Sequence, residues 1–214
     1  MNKIRLKVCG LRDNIEEVIA LGPDYAGFIF YNKSPRYVGE EFEMIDWDDE
    51  VKSVGVFVNE SLENVQQLVT EHKLNFVQLH GNETPEFCSK LKHSGIRIIR
   101  AFQMDETFDF DLLENYTSTV DYFLFDTKTS SYGGSGRTFN WNLLKRYKME
   151  KKYFLSGGIS LDNFDEVANI DLQKIEAIDV NSKFEVSPGL KNIQELSVLK
   201  EKLLGLNVEE ISKK

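Results

Sequence analysis

Eight short runs of apolar, β-branched and aromatic residues alternate along this chain with longer amphipathic stretches. The runs are Ile4–Cys9, Tyr25–Phe30, Lys52–Val58, Phe76–Leu79, Ile96–Phe102, Tyr122–Asp126, Tyr153–Ser156 and Ala177–Asn181. Between and after them, helical spacing covers Ile15–Leu21, Glu40–Trp47, Leu62–His72, Pro85–His93, Asp109–Tyr116, Trp141–Tyr147, Leu161–Ala168 and Ile193–Leu204. Strand runs that stay apolar through consecutive residues, such as Phe123-Leu124-Phe125, suit a parallel sheet covered on both faces. Helix starts carry capping signals at Asp13, Ser61 and Thr84-Pro85. Eight strand–helix units predict an α/β fold, a single (β/α)8 barrel, over residues 1–206, with a fraying polar tail at 207–214. An open doubly wound sheet fits less well, because no Gly-x-Gly-x-x-Gly turn follows the first run.

Composition narrows the function. The 214 residues carry a net charge of −9, which disfavours nucleic acid as a partner, since phosphate backbones reward clustered Lys and Arg. No run reaches the ~18–20 apolar residues of a membrane span, and Met1–Leu11 lacks the basic-then-apolar pattern of a signal peptide. Two cysteines, Cys9 and Cys88, are too few for a disulfide framework or a metal cluster. The expectation is a cytoplasmic protein without metal or cofactor, monomeric or homodimeric, acting on a small molecule.

In a parallel barrel the reactive groups gather where strands end. Those positions hold Cys9-Gly10, Ser34-Pro35-Arg36, His80-Gly81, Asp126 ahead of Gly133-Gly134-Ser135-Gly136, Ser156-Gly157-Gly158 and Asp179-Val180-Asn181-Ser182. Glycines after the seventh strand let backbone N–H groups approach an anion, and the loop after the eighth adds Ser182, so a phosphate is expected there. The other reading of Gly157 and Gly158 is a tight turn between strand and helix. Cys9 and Asp126 are acid–base candidates, though a thiol needs a nearby cation to act as a base. Lys7 shares its face and should point inward. The other readings are a small buried hydrophobe for Cys9 and a turn-forming carboxylate for Asp126. The planar fork of Arg36 suits a carboxylate, unless it is a surface residue paired with Glu40 or Glu41. Cys88, His72 and His93 fall on the outer helical ring and read as structural or solvated, and Asp46–Glu50 as a solvated helix end.

Several ordered blocks resemble the phosphoribosylanthranilate isomerase family. They are Lys7-Val8-Cys9-Gly10-Leu11, Gly27-Phe28-Ile29-Phe30 with Ser34-Pro35-Arg36-Tyr37-Val38, Val54-Gly55-Val56-Phe57-Val58-Asn59, and Val77-Gln78-Leu79-His80-Gly81. Asp126 with Gly133-Gly134-Ser135-Gly136 and Phe139-Asn140-Trp141, Leu155-Ser156-Gly157-Gly158-Ile159, Asp179-Val180-Asn181-Ser182 and Ser187-Pro188-Gly189-Leu190 complete the match. The resemblance implies a cofactor-free Amadori rearrangement in tryptophan biosynthesis. Asp126 would be the general acid at the ribose ring oxygen and Cys9 the general base at C2′. Arg36 would hold the anthranilate carboxylate, and Gly157, Gly158 and Ser182 the phosphate. Lys7, His80 and Asp179 join the expected substrate-binding set.

Three positions depart from the family pattern: Lys183 stands for a glycine, Asn140 for an aspartate and Ser135 for a threonine. A lysine at positive φ is strained, so Lys183 is expected at ordinary negative φ, with Phe184 pinning a rerouted loop. Phosphoribosyl isomerases of histidine biosynthesis use an aspartate at the Cys9 position, which argues against that rival. A silent barrel binding a phosphorylated metabolite would not need Cys9, Asp126 and Arg36 together.

Overall fold

The computed structural model describes residues 3–47, 50–128 and 138–212. The strands are β1 Arg5–Cys9, β2 Tyr25–Ile29, β3 Lys52–Phe57, β4 Phe76–Leu79, β5 Ile98–Met104, β6 Tyr122–Thr127, β7 Tyr153–Leu155 and β8 Ile175–Val180. Each pairs in parallel with the next, and β8 closes on β1, with Lys7 opposite Asp179. All eight sequence-derived strands are present, with no end moved by more than two residues. The barrel interior is filled by Tyr25, Val54, Phe76, Ile99, Ala101, Leu124, Phe154 and Ala177, so it is a packed core and not a pore. At the bottom the buried Glu176 carboxylate takes bonds from Arg5 and Tyr25.

Four α-helices, α1 Ile15–Ala20, α2 Leu62–Glu71, α3 Pro85–His93 and α4 Ile193–Ser212, form part of the outer ring. Ser61 and Thr84 accept bonds from Asn64 and Phe87, the capping expected from sequence. Three expected helices are instead 3-10 turns, at Phe110–Tyr116, Trp141–Arg146 and Phe164–Asn169. In the first two, the side chains of Asp109 and Asn140 accept from the backbone two residues on, which winds a short segment tightly. Asn140 thus keeps the capping chemistry of the aspartate it replaces.

The expected helix over Glu40–Trp47 does not form. Its apolar residues are used as an irregular strap over the outer face of β2 and β3. Trp47 stacks on Phe28, and Phe42 lies against Phe28, Phe30 and His72. Asp46 and Glu50, from the acidic run read as a solvated helix end, are not in a helix, and Asp48 and Asp49 lie outside the described residues. Helix α4 carries six residues beyond Leu206, into the stretch read as a tail, and Asn207 bonds both backbone groups of Ile4. No helix among the described residues is long and apolar enough to cross a membrane.

Candidate active site

A cleft of about 830 Å³, counted out to open solvent, sits over the C-terminal ends of the strands. Cys9, Arg36, His80, Asp126, Gly157, Gly158, Asp179 and Ser182 all line it. Lys7 does not. Ile29, Tyr31, Val56 and Val58 add apolar side chains to its lining.

Cys9 ends β1 with its side chain inward, packed on Ile29 and Val56 and 5% exposed. Gly27 makes the space: a Cβ there would lie 2.9 Å from the Cys9 sulfur. Beneath Cys9, the ammonium of Lys7 is fully buried and donates to Asp179 at 2.8 Å, because strand pairing sets the two residues side by side. Burial pushes the Cys9 thiol above its ordinary value, while Lys7 and Lys191 pull it back. Burial works against the Lys7 charge too, but Asp179 and Cys9 outweigh it and hold the lysine protonated.

A second buried charge group stands beside this one. Glu185 opens β9, Glu185–Ser187, which pairs antiparallel with β10, Leu190–Lys191. Its carboxylate takes a forked bond from Arg36 at 2.7–2.9 Å and another from Lys191 at 2.6 Å. Lys191 also donates to Asn181. Burial raises the Glu185 pKa, yet the bonds from Arg36 and Lys191 bring it below the ordinary carboxyl value. Arg36 is 8% exposed, so it is no surface residue, and neither Glu40 nor Glu41 is its partner. Its Nη1 takes no part in the fork to Glu185.

Across the cleft Asp126, on β6, is more open. Its Oδ2 lies 3.2 Å from His80 Nε2, and its Oδ1 accepts from the Thr127 N–H at 2.8 Å. The Gln78 amide nitrogen lies 2.9 Å from His80 Nδ1. Gly157, at φ +90°, presses on this end: a Cβ there would be 2.6 Å from the Thr127 nitrogen and 3.1 Å from Asp126 Oδ1. Glycine is therefore required both by φ and by the close approach of backbone. The N–H groups of Gly157 and Gly158 have no acceptor among the described residues, and Thr127 Oγ1 is buried without a partner. These donors suit the oxygens of a phosphate.

Lys183 is exposed at the rim, in a 3-10 turn over Ser182–Phe184, and is not among the positive-φ residues. Phe184 is fully buried and ties the turn down, as expected from sequence. His72 and Cys88 are buried in the outer layer and His93 is exposed on α3. The Gly133–Gly136 loop lies outside the described residues.

Sequence reasoning missed Gln78, Thr127, Asn181, Glu185 and Lys191. Gln78 was within reach, since it stands two residues before His80 on one strand face. Glu185 and Lys191 lie on strands too short to show any period.

A family profile described as N-(5′phosphoribosyl)anthranilate (PRA) isomerase matches residues 6–202. The N-(5′-phosphoribosyl)anthranilate isomerase of Parabacteroides distasonis is 42% identical over 210 residues, covering 95% of each chain. The crystal structure of phosphoribosyl anthranilate isomerase from Thermotoga maritima superimposes with a TM-score of 0.81 at 32% identity, covering 94% of this chain and 99% of that one. A structure of the same enzyme type in complex with reduced 1-(o-carboxyphenylamino)-1-deoxyribulose 5-phosphate matches with a TM-score of 0.76 at 29% identity, over 94% and 99% of the two chains.

Proposed function

The chain belongs to the N-(5′-phosphoribosyl)anthranilate isomerase family, and on that premise we propose how its residues carry the reaction. It is an isomerase of tryptophan biosynthesis that converts N-(5′-phosphoribosyl)anthranilate to 1-(2-carboxyphenylamino)-1-deoxyribulose 5-phosphate. The observation that carries the mechanistic reading is the pair Cys9 and Asp126, on β1 and β6, facing one cleft from different sides. Asp126 gives a proton to the ribose ring oxygen as the C1′–O4′ bond breaks, and the nitrogen lone pair closes a Schiff base. The Cys9 thiolate then takes the C2′ proton, leaving an enolamine that tautomerises to the ketone.

Each proton-transfer group contributes ~10²–10⁴-fold, and holding both ends of the substrate aligns them. The anthranilate ring rests on Ile29, Tyr31, Val56 and Val58, with its carboxylate on the part of the Arg36 fork that Glu185 does not use. The phosphate lies on the Gly157 and Gly158 N–H groups, near Ser182. Lys7 serves this reaction through Cys9, as the cation that eases thiol ionisation, rather than by touching substrate. Asp179 holds Lys7 in that position, and His80 stands by the acid. A cytoplasmic location belongs to this reading and fits two free, buried cysteines.

The test is direct. Anthranilate-type fluorescence of freshly prepared substrate should fall as the purified protein consumes it, and an unchanged signal would overturn the reading.

A further inference from the structure

Gln78 is 1% exposed and lies on β4 at the register level of Val56, which packs with Ile29 against Cys9. Its two amide atoms have different fates. The nitrogen lies 2.9 Å from His80 Nδ1, which turns the other ring nitrogen, Nε2, toward Asp126. The oxygen, Oε1, is buried with no hydrogen-bond partner among the described residues, although Gln78 lines the cleft. An unpaired buried carbonyl is costly, and folded proteins leave few of them. Val56 and Ile99, its register neighbours on β3 and β5, have no side-chain donor to offer. The missing donor therefore belongs to whatever enters the cleft.

On the isomerase reading, the depth of Gln78 beside the Cys9 wall sets it at the C1′–C2′ end of the substrate. The bridging N–H is the donor there whose polarity changes during reaction. When the ring opens, the C1′–O4′ electron pair leaves to O4′ with the proton from Asp126. The nitrogen lone pair forms the C=N bond, and the N–H becomes that of an iminium. An acceptor at this point binds the charged intermediate more tightly than the substrate, which is the condition for raising kcat.

We propose that Gln78 is a further catalytic residue of this site. Its Oε1 accepts the substrate's bridging N–H, while its amide nitrogen keeps His80 Nε2 turned toward Asp126. The bond transfers no proton, and the hydrogen stays on nitrogen throughout.

Two variants separate the roles. Gln78→Met fills similar volume with neither donor nor acceptor, and should lose about 100-fold in kcat with KM within threefold. Gln78→Glu keeps an acceptor oxygen and loses the donor to His80, and should stay within about tenfold of wild type. A Gln78→Met kcat within threefold of wild type overturns the proposal. So does Gln78→Glu falling as far as Gln78→Met, because only the His80 contact would then matter. A ligand test needs no variant to fold: the reduced carboxyphenylamino compound should bind the wild-type protein at least tenfold more tightly than its carboxyphenoxy counterpart, which lacks the N–H. Equal affinities also overturn the proposal. A wild type inert toward phosphoribosylanthranilate would fail the isomerase reading itself, whereas an active wild type with an unimpaired Gln78→Met fails this inference alone.

Discussion

Around Cys9 every buried charge has a partner: Lys7 pairs with Asp179, while Lys191 and Arg36 share the one carboxylate of Glu185 and leave a net positive charge. Along the cleft from Gln78 to Asp126, polar atoms lack partners among the described residues: Gln78 Oε1 and Thr127 Oγ1 have none, and the Gly157 and Gly158 N–H groups are open. On the proposed mechanism the cations beside the base are fixed in place before substrate arrives, while the open polar atoms are completed by the substrate. The reason is chemical. A thiol in a dry wall ionises only if fixed cations compensate for lost water, and fixed cations must themselves be paired. A proton donor to a ring oxygen needs its partner atoms to be the substrate's.

The sharpest way to break this comparison is at the acid. Asp126→Asn should lower kcat by roughly 10³-fold or more, since the amide has no acidic proton to give. It should still bind the reduced carboxyphenylamino compound within a few-fold of wild type. Substantial residual turnover would remove Asp126 from the mechanism. At the other end, Cys9→Ser should cost roughly 10²-fold or more in kcat with little change in KM, because the hydroxyl is far harder to ionise. Near-normal turnover there would make Cys9 the packing residue of the alternative reading.

Arg36→Met should weaken transition-state binding by ~2–4 kcal/mol for the anthranilate substrate, seen as a fall in kcat/KM, and far less for an analogue lacking the carboxylate. Equal losses on both would confine Arg36 to its bond with Glu185. Lys7→Met tests the pre-built base. Lys7 lowers a thiol that burial has already raised, so removing it moves Cys9 further above its ordinary value of 9.0. At neutral pH less thiolate remains, and kcat/KM should drop about tenfold. The deficit should shrink as pH rises through the alkaline range, where wild type and variant both ionise. A pH-independent deficit would assign Lys7 a purely structural role. The same change strands Asp179, and thermal unfolding should report a loss of about 3–5 kcal/mol. The smallest effect is expected at the rim, where Lys183→Gly should leave kcat/KM within about threefold. A tenfold rise in KM would make the Lys183 ammonium a phosphate ligand.

The barrel was legible because its strands are local and their apolar runs admit few alternatives, as in Tyr122–Thr127 and Phe76–Leu79. Residues at strand ends were legible for the same reason: once the fold is parallel and closed, Cys9, His80, Asp126 and Asp179 must share one face. The segment Glu40–Trp47 was misread because its apolar spacing served a helix or a strap equally well. The rings of Phe28, Phe30 and His72, distant in sequence, decided between them.

What the sequence determined by itself is the order of strands, the polarity of the barrel and the strand ends at which the proposed acid and base stand. Tertiary structure alone decided their surroundings. Lys7 is half of a buried ion pair because register brought Asp179 beside it. Arg36 gained Glu185, 149 positions away, and Gln78 became an open acceptor because no neighbouring strand offered a donor. Strand identity rests on short-range patterns of burial, whereas pairing of charges depends on which residues closure of the barrel brings within 3 Å, and no local pattern encodes that distance.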